Sequence, residues 1–87
     1  MDLGQAVTAL KQGYKVARKG WNGKDMYLFL IGTDMTQPGI GGWTYTNGVN
    51  DNFALLPFIA MKTVDDKVVP WLANQTDILV EDWEMVE

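Results

Sequence analysis

Asp2-Leu3-Gly4-Gln5-Ala6-Val7-Thr8-Ala9-Leu10-Lys11-Gln12-Gly13 is the stretch on which the fold turns. Asp2 followed three residues later by Gln5 is a capping-box pattern, in which each side chain satisfies a backbone amide that the first helical turn leaves free. Leu3, Ala6, Val7 and Leu10 recur at the spacing of one helical face. Lys11 falls in the final turn, where a cation suits the macrodipole, and Gly13 tolerates the left-handed backbone that closes many helices. The spacing predicts an amphipathic helix of about three turns, with an apolar stripe that the rest of the chain must cover.

Outward from this helix the pattern changes to strands. Tyr14 to Ala17 alternates large and basic side chains as a short strand, which Lys19-Gly20-Trp21-Asn22-Gly23-Lys24 breaks with two glycines. Met26 to Ile31 is continuously apolar and too short for an independent helix, so it reads as a central strand. The stretch from residue 32 to 52 is rich in glycine and without a clear period, although Asn47-Gly48 favours a tight turn and part of it reads as a small hairpin. Phe53 to Lys62 reads as one further strand, with Pro57 marking an edge or a bulge. Asp65-Asp66 turns the chain into Lys67-Val68-Val69, and Pro70-Trp71 stops that strand. Asn74 caps a short helix running to Val80, and Asp82 to Val86 closes the chain as a strand with Trp83 and Met85 on one face. The expected class is α+β, a single domain over residues 1–87: an N-terminal amphipathic helix packed on a mainly antiparallel β-sheet, with a short second helix near residues 74–80.

Composition narrows the function. A chain of 87 residues buries only about 60–65% of its unfolded surface, so partners or self-assembly are expected to help it. Seven basic against eleven acidic side chains give a net charge of −4, the wrong sign for a protein that grips a nucleic acid polymer through many phosphates. With neither histidine nor cysteine, the chain lacks the Ser-His and Cys-His nucleophile pairs, disulfides and the usual zinc ligands. No metal site and no cofactor are expected. The first residues lack a signal-peptide pattern and no apolar run approaches the roughly 20 residues that cross a bilayer, so a soluble, intracellular protein is expected, with no membrane partner.

Charge is distributed unevenly. Lys11, Lys15, Arg18, Lys19 and Lys24 oppose Asp2 in the first 24 residues, whereas Asp77, Glu81, Asp82, Glu84 and Glu87 have no base among them from residue 68 onward. The two ends can attract each other within one domain, or the first can form a locally basic site. Arg18 and its basic neighbours could neutralise a pyrophosphate, but they match no P-loop, and a solvated face is the reading preferred.

Of the four tryptophans, Trp71 and Trp83 lie in regular segments and are assigned to the core or a subunit interface. Trp21, between glycines in a basic turn, is either docked on its own domain or a platform on which a base stacks. Trp43 carries the same two readings with a weaker argument. Gln75, Thr76 and Asp77 stand at a helix start, where they either cap it or read hydroxyls and base edges. Asp65 and Asp66, and Glu81 with Asp82 and Glu84, are acidic neighbours along the chain and do not face each other across a cleft as carboxylate catalysis requires. No catalytic residue is expected.

Three blocks are familiar together: Val16-Ala17-Arg18-Lys19-Gly20-Trp21-Asn22-Gly23-Lys24, then Met61-Lys62-Thr63, then Val69-Pro70-Trp71-Leu72-Ala73-Asn74-Gln75-Thr76-Asp77 with Glu81-Asp82-Trp83-Glu84. In this order and spacing the chain resembles the phage Thoeris anti-defence protein two family. The resemblance implies a sponge and not an enzyme: relatives hold the cyclic ADP-ribose signal of bacterial TIR proteins, a glycocyclic ADP-ribose, and some also hold cyclic oligonucleotides. It implies a homo-oligomer, a tetramer, with pockets between subunits, working in the cytoplasm of the infected bacterial host. Carried onto matching positions, it implies ligand contacts from Trp21 and Asn22, from Met61 and Thr63, and from Asp77, with Asp65 just beyond the second block. The other expectation is a structural or protein-interaction module of a virion or host complex, motivated by the surplus of tryptophan and the opposite charge at the two ends.

Overall fold

The computed structural model describes residues 1–21, 25–32, 44–46, 52–54 and 56–86. Helix α1 spans Leu3–Lys11, with Asp2 as its cap: Asp2 Oδ1 accepts from the Gln5 amide at 2.7 Å, and Gln5 Oε1 accepts from the Asp2 amide at 2.9 Å. Its far end closes as a Schellman motif. The Tyr14 N–H donates to the Ala9 carbonyl and the Gly13 N–H to the Leu10 carbonyl, around Gly13 at φ +95°.

After that turn the chain enters strand β1 (Lys15–Arg18) and a single 3-10 turn (Lys19–Trp21). Strands β2 (Tyr27–Ile31), β3 (Thr44–Thr46), β4 (Asn52–Ala54), β5 (Phe58–Lys62) and β6 (Val68–Pro70) follow, then helix α2 (Gln75–Leu79) and strand β7 (Trp83–Val86). Five strands form one antiparallel sheet in the order β6-β5-β2-β1-β7, and β3 pairs with β4 in a separate two-stranded sheet. The α+β class is as expected, and β2 is the central strand.

One expectation needs correction. Phe53 to Lys62 is not a single strand: β4 belongs to the small sheet and β5 to the large one. Pro57 separates them because it has no N–H for a ladder, and β5 lies inside the sheet, between β2 and β6. Pro70 is tolerated at the end of β6 because that strand is an edge. The expected hairpin in the glycine-rich stretch is present as β3 and β4; its connection, with Asn47-Gly48, lies outside the described residues.

Register explains the core. Val16 faces Leu28, Leu28 faces Met61, and Arg18 faces Trp83, so these side chains share one face of the sheet. Helix α1 lays Ala6, Ala9 and Leu10 on that face, against buried Val16, Leu28 and Trp83. The Trp83 indole N–H donates to the Asp77 carbonyl at 3.1 Å, so its one polar atom is satisfied inside the core. Trp71 packs against the same cluster and meets the Trp83 ring edge-on, as assigned from sequence.

Candidate functional site

On the sheet face opposite α1, Ala17 of β1 pairs with Glu84 of β7. Together with Val86, Tyr27, Met26, Asp25 and Trp21 these residues line an open cleft of about 270 Å³. Trp21 stands where the chain leaves β1. Its ring is half-buried against the core and meets Trp83 edge-on, with centroids 5.6 Å apart and planes at 83°. The first sequence reading of Trp21 is therefore met, since one edge is docked on its own domain, and the ring also forms part of a cleft wall. Tyr27 contributes a second aromatic surface, with the Lys15 ammonium 4.7 Å from its ring centroid.

Charge in the cleft is arranged by partners far apart in sequence. Asp25 is neutralised by Lys62, whose ammonium lies 2.8 Å from its carboxylate. Glu84 is half-buried and makes no hydrogen bond or ion pair among the described residues. Lys15 likewise has no carboxylate partner among them. Among the described residues the cleft thus offers a flat ring, an apolar floor and the Glu84 carboxylate as an unpaired acceptor, with the Lys15 ammonium beside the Tyr27 ring.

The third block is organised differently. Asn74 caps α2 in a capping box with Asp77: Asn74 Oδ1 accepts from the Asp77 amide at 2.7 Å, and Asp77 Oδ2 accepts from the Asn74 amide at 3.0 Å. The other Asp77 oxygen accepts from Arg18 Nη1 at 3.1 Å, while Arg18 Nε donates to Asp82 at 3.1 Å. Two carboxylates against one guanidinium raise the Arg18 pKa, chiefly through the hydrogen bond to Asp82. Asp77 is buried, with both oxygens engaged, whereas Gln75 and Thr76 are exposed at the start of α2. The attraction expected between the basic beginning and acidic end of the chain is made here, within one domain.

The second block divides between core and turn. Met61 is half-buried on the helix-covered face, packed against the core cluster. Thr63 opens the β5–β6 turn: its hydroxyl donates to Asp65 at 2.6 Å and its oxygen accepts from the Lys67 amide at 3.0 Å. The Thr63 hydroxyl, and then the Lys67 ammonium 3.1 Å from the carboxylate, lower the Asp65 pKa. Asn22 and Trp43, and most of the glycine-rich stretch, lie outside the described residues.

Among the candidate contacts, the structure puts Trp21 in the cleft, Arg18 and Asp77 in a shared ion pair, and Thr63 and Asp65 in a shared turn. Sequence reasoning passed over Tyr27, Glu84 and Lys62. Only the strand register brings Glu84 beside Ala17, and no local pattern announces it.

The chain is thus a small α+β domain with a one-sided cleft walled in part by the Trp21 indole. The Thoeris anti-defense 2-like domain matches residues 1–86, and the chain belongs to that family. It is 44% identical over 88 aligned residues to Thoeris anti-defense 2 of Bacillus phage SP01, an alignment covering 99% of this chain and 94% of that protein. The family's role is anti-Thoeris defence.

Proposed function

We propose that this protein counters Thoeris defence by capturing a cyclic ADP-ribose signal intact, without cleaving it, in the cytoplasm of the infected host. The observation that carries the reading is the Trp21 cleft in a member of this family. An adenine stacks on the indole, which Trp83 braces from behind. Glu84 accepts a hydrogen bond from the exocyclic amino group, and Lys15 is the cation left for a phosphate, since Arg18 is engaged by Asp77 and Asp82.

A cleft of about 270 Å³ is small beside the roughly 300–1,000 Å³ of ligand pockets. It takes a base and leaves the ribose and pyrophosphate outside, so the rest of the ligand is enclosed by another copy of the chain in a homo-oligomer, a tetramer by the resemblance. Asn22, Thr63, Asp65, Gln75 and Thr76 are proposed for that polar rim. Sequestration acts by mass action and needs an affinity near 1 nM, about −12.3 kcal/mol.

The test is to incubate excess signal with the protein, denature by heat, and recover the small molecule. Intact signal released in a fixed ratio to protein is expected; altered product in multiples of the protein would refute capture. A second reading, a protein-interaction module, draws on Leu72 and Leu79, which are 90% and 75% exposed. It is favoured if no nucleotide shifts the melting temperature while a host protein co-purifies stoichiometrically.

A further inference from the structure

Lys62 sits on β5 opposite Tyr27 of β2, with its ammonium 5.8 Å from the Tyr27 ring centroid. An ammonium has three donors, and here three acceptors surround it. They are the Asp25 carboxylate at 2.8 Å, the Asp25 backbone carbonyl at 2.9 Å and the Asp66 carboxylate at 2.6 Å. The lysine side chain is only 14% exposed, whereas both aspartates are more than three-quarters exposed. The cation is fixed and its partners come to it.

Both partners also have unusual backbones. Asp25 has φ +56° and Asp66 φ +64°, the left-handed region that costs a residue with a Cβ about 1–2 kcal/mol. Aspartate is among the side chains that tolerate it. Asp25 borders the Trp21 cleft. Asp66 belongs to the turn whose Thr63 and Asp65 hold each other at 2.6 Å.

We propose that Lys62 is a positioning residue of the ligand site: one ammonium ties the cleft-edge turn at Asp25 to the neighbouring Thr63–Asp66 turn, holding the edge of the cleft in one geometry before a nucleotide arrives. The proposal rests on the capture reading for its consequence and on the three contacts for its mechanism. Ion pairs to exposed carboxylates contribute little to global stability, so the clamp acts on local order. Binding benefits because walls already ordered need not be ordered at the ligand's expense.

Lys62→Met keeps most of the apolar stem and removes the donors; Lys62→Arg restores a cation with donors to spare. Amide hydrogen exchange is measured on the free protein, and affinity and dissociation rate are measured with cyclic ADP-ribose. In Lys62→Met, residues 25–27 and 63–67 exchange faster together, by roughly tenfold, while α1 and β1 are unchanged. Affinity falls about tenfold through faster dissociation. Lys62→Arg recovers most of both effects. Asp66→Asn, which leaves Lys62 in place, speeds exchange at 63–67 and guards against a Met variant that folds poorly.

In Lys62→Met, unchanged exchange in both turns, or a change in one alone, overturns the clamp. So does lost affinity with unchanged exchange, which would make Lys62 a direct ligand contact. If the unaltered protein captures no cyclic ADP-ribose, the capture reading falls, and exchange in the free protein still decides the clamp.

Discussion

Trp21 and Trp83 meet edge to face, 5.6 Å between centroids, and so couple the wall of the cleft to the centre of the core. Trp83 is 2% exposed and Trp21 half-buried. Truncating them should therefore have unequal effects. Trp83→Ala is expected to cost about 3–5 kcal/mol, a large share of the stability of a domain of this size. Trp21→Ala should cost about 1–2 kcal/mol, because roughly half as much ring leaves the core. Urea titrations give both values. Trp21→Phe, which keeps an aromatic ring at that wall, should stay folded and weaken capture about tenfold; equal affinity would remove the indole from the site.

Asp77 poses the converse question, since both its oxygens are engaged within the chain. Asp77→Asn is expected to destabilise the protein by about 1–2 kcal/mol, because one charge-assisted bond to Arg18 becomes a neutral one. At roughly 4–8 °C per kcal/mol for a domain of this length, the lower Tm is readily seen by circular dichroism. An unchanged Tm together with lost capture would instead make this carboxylate a direct reader of the ligand.

Glu84 lines the cleft and has no hydrogen-bond or ion-pair partner among the described residues. Wild-type protein should prefer a cyclic ADP-ribose over its hypoxanthine analogue, which carries a carbonyl in place of the amino group, by about tenfold. In Glu84→Gln the amide can donate as well as accept, so the preference should shrink. Competition calorimetry with the two analogues checks this, and a preference unaltered by the substitution would exclude Glu84 from base reading.

The contacts of Lys62, first those to Asp25 and then those to Asp66, raise its pKa from 10.5 to about 12. A lysine whose folded pKa lies above its unfolded value contributes stability that is complete below pH 10.5 and is lost as pH rises through about 12. The Lys62 side-chain nitrogen, followed by NMR, should keep its charge well above pH 10.5. In Asp25→Asn the discharge should move back toward pH 10.5. Discharge of Lys62 near pH 10.5 in the unaltered protein would contradict the three-contact geometry.

Gly32 carries φ +93°, and a Cβ there would lie 3.1 Å from the Pro57 Cα. Backbone cannot swing aside as a side-chain end can. Gly32→Ala is expected to cost about 1–2 kcal/mol from the left-handed conformation alone, seen as a lower Tm with an unchanged spectrum of the folded state.

The sequence by itself determined the local pieces. Asp2 with Gln5 and Asn74 with Asp77 act over three residues, so the capping boxes were legible in the chain, as were the closing Gly13 and the apolar run of β2. The same local reading joined Phe53 to Lys62, because Pro57 marks a break without saying that the two halves join different sheets. Only the tertiary structure decided that Arg18 meets Asp77 across 59 residues and that Lys62 reaches Asp25 across 37. It alone paired Ala17 with Glu84 to floor the cleft. Caps and turns are settled by atoms a few bonds apart, whereas a charge pair between distant segments exists only once strand order and register have brought its two halves within reach of each other.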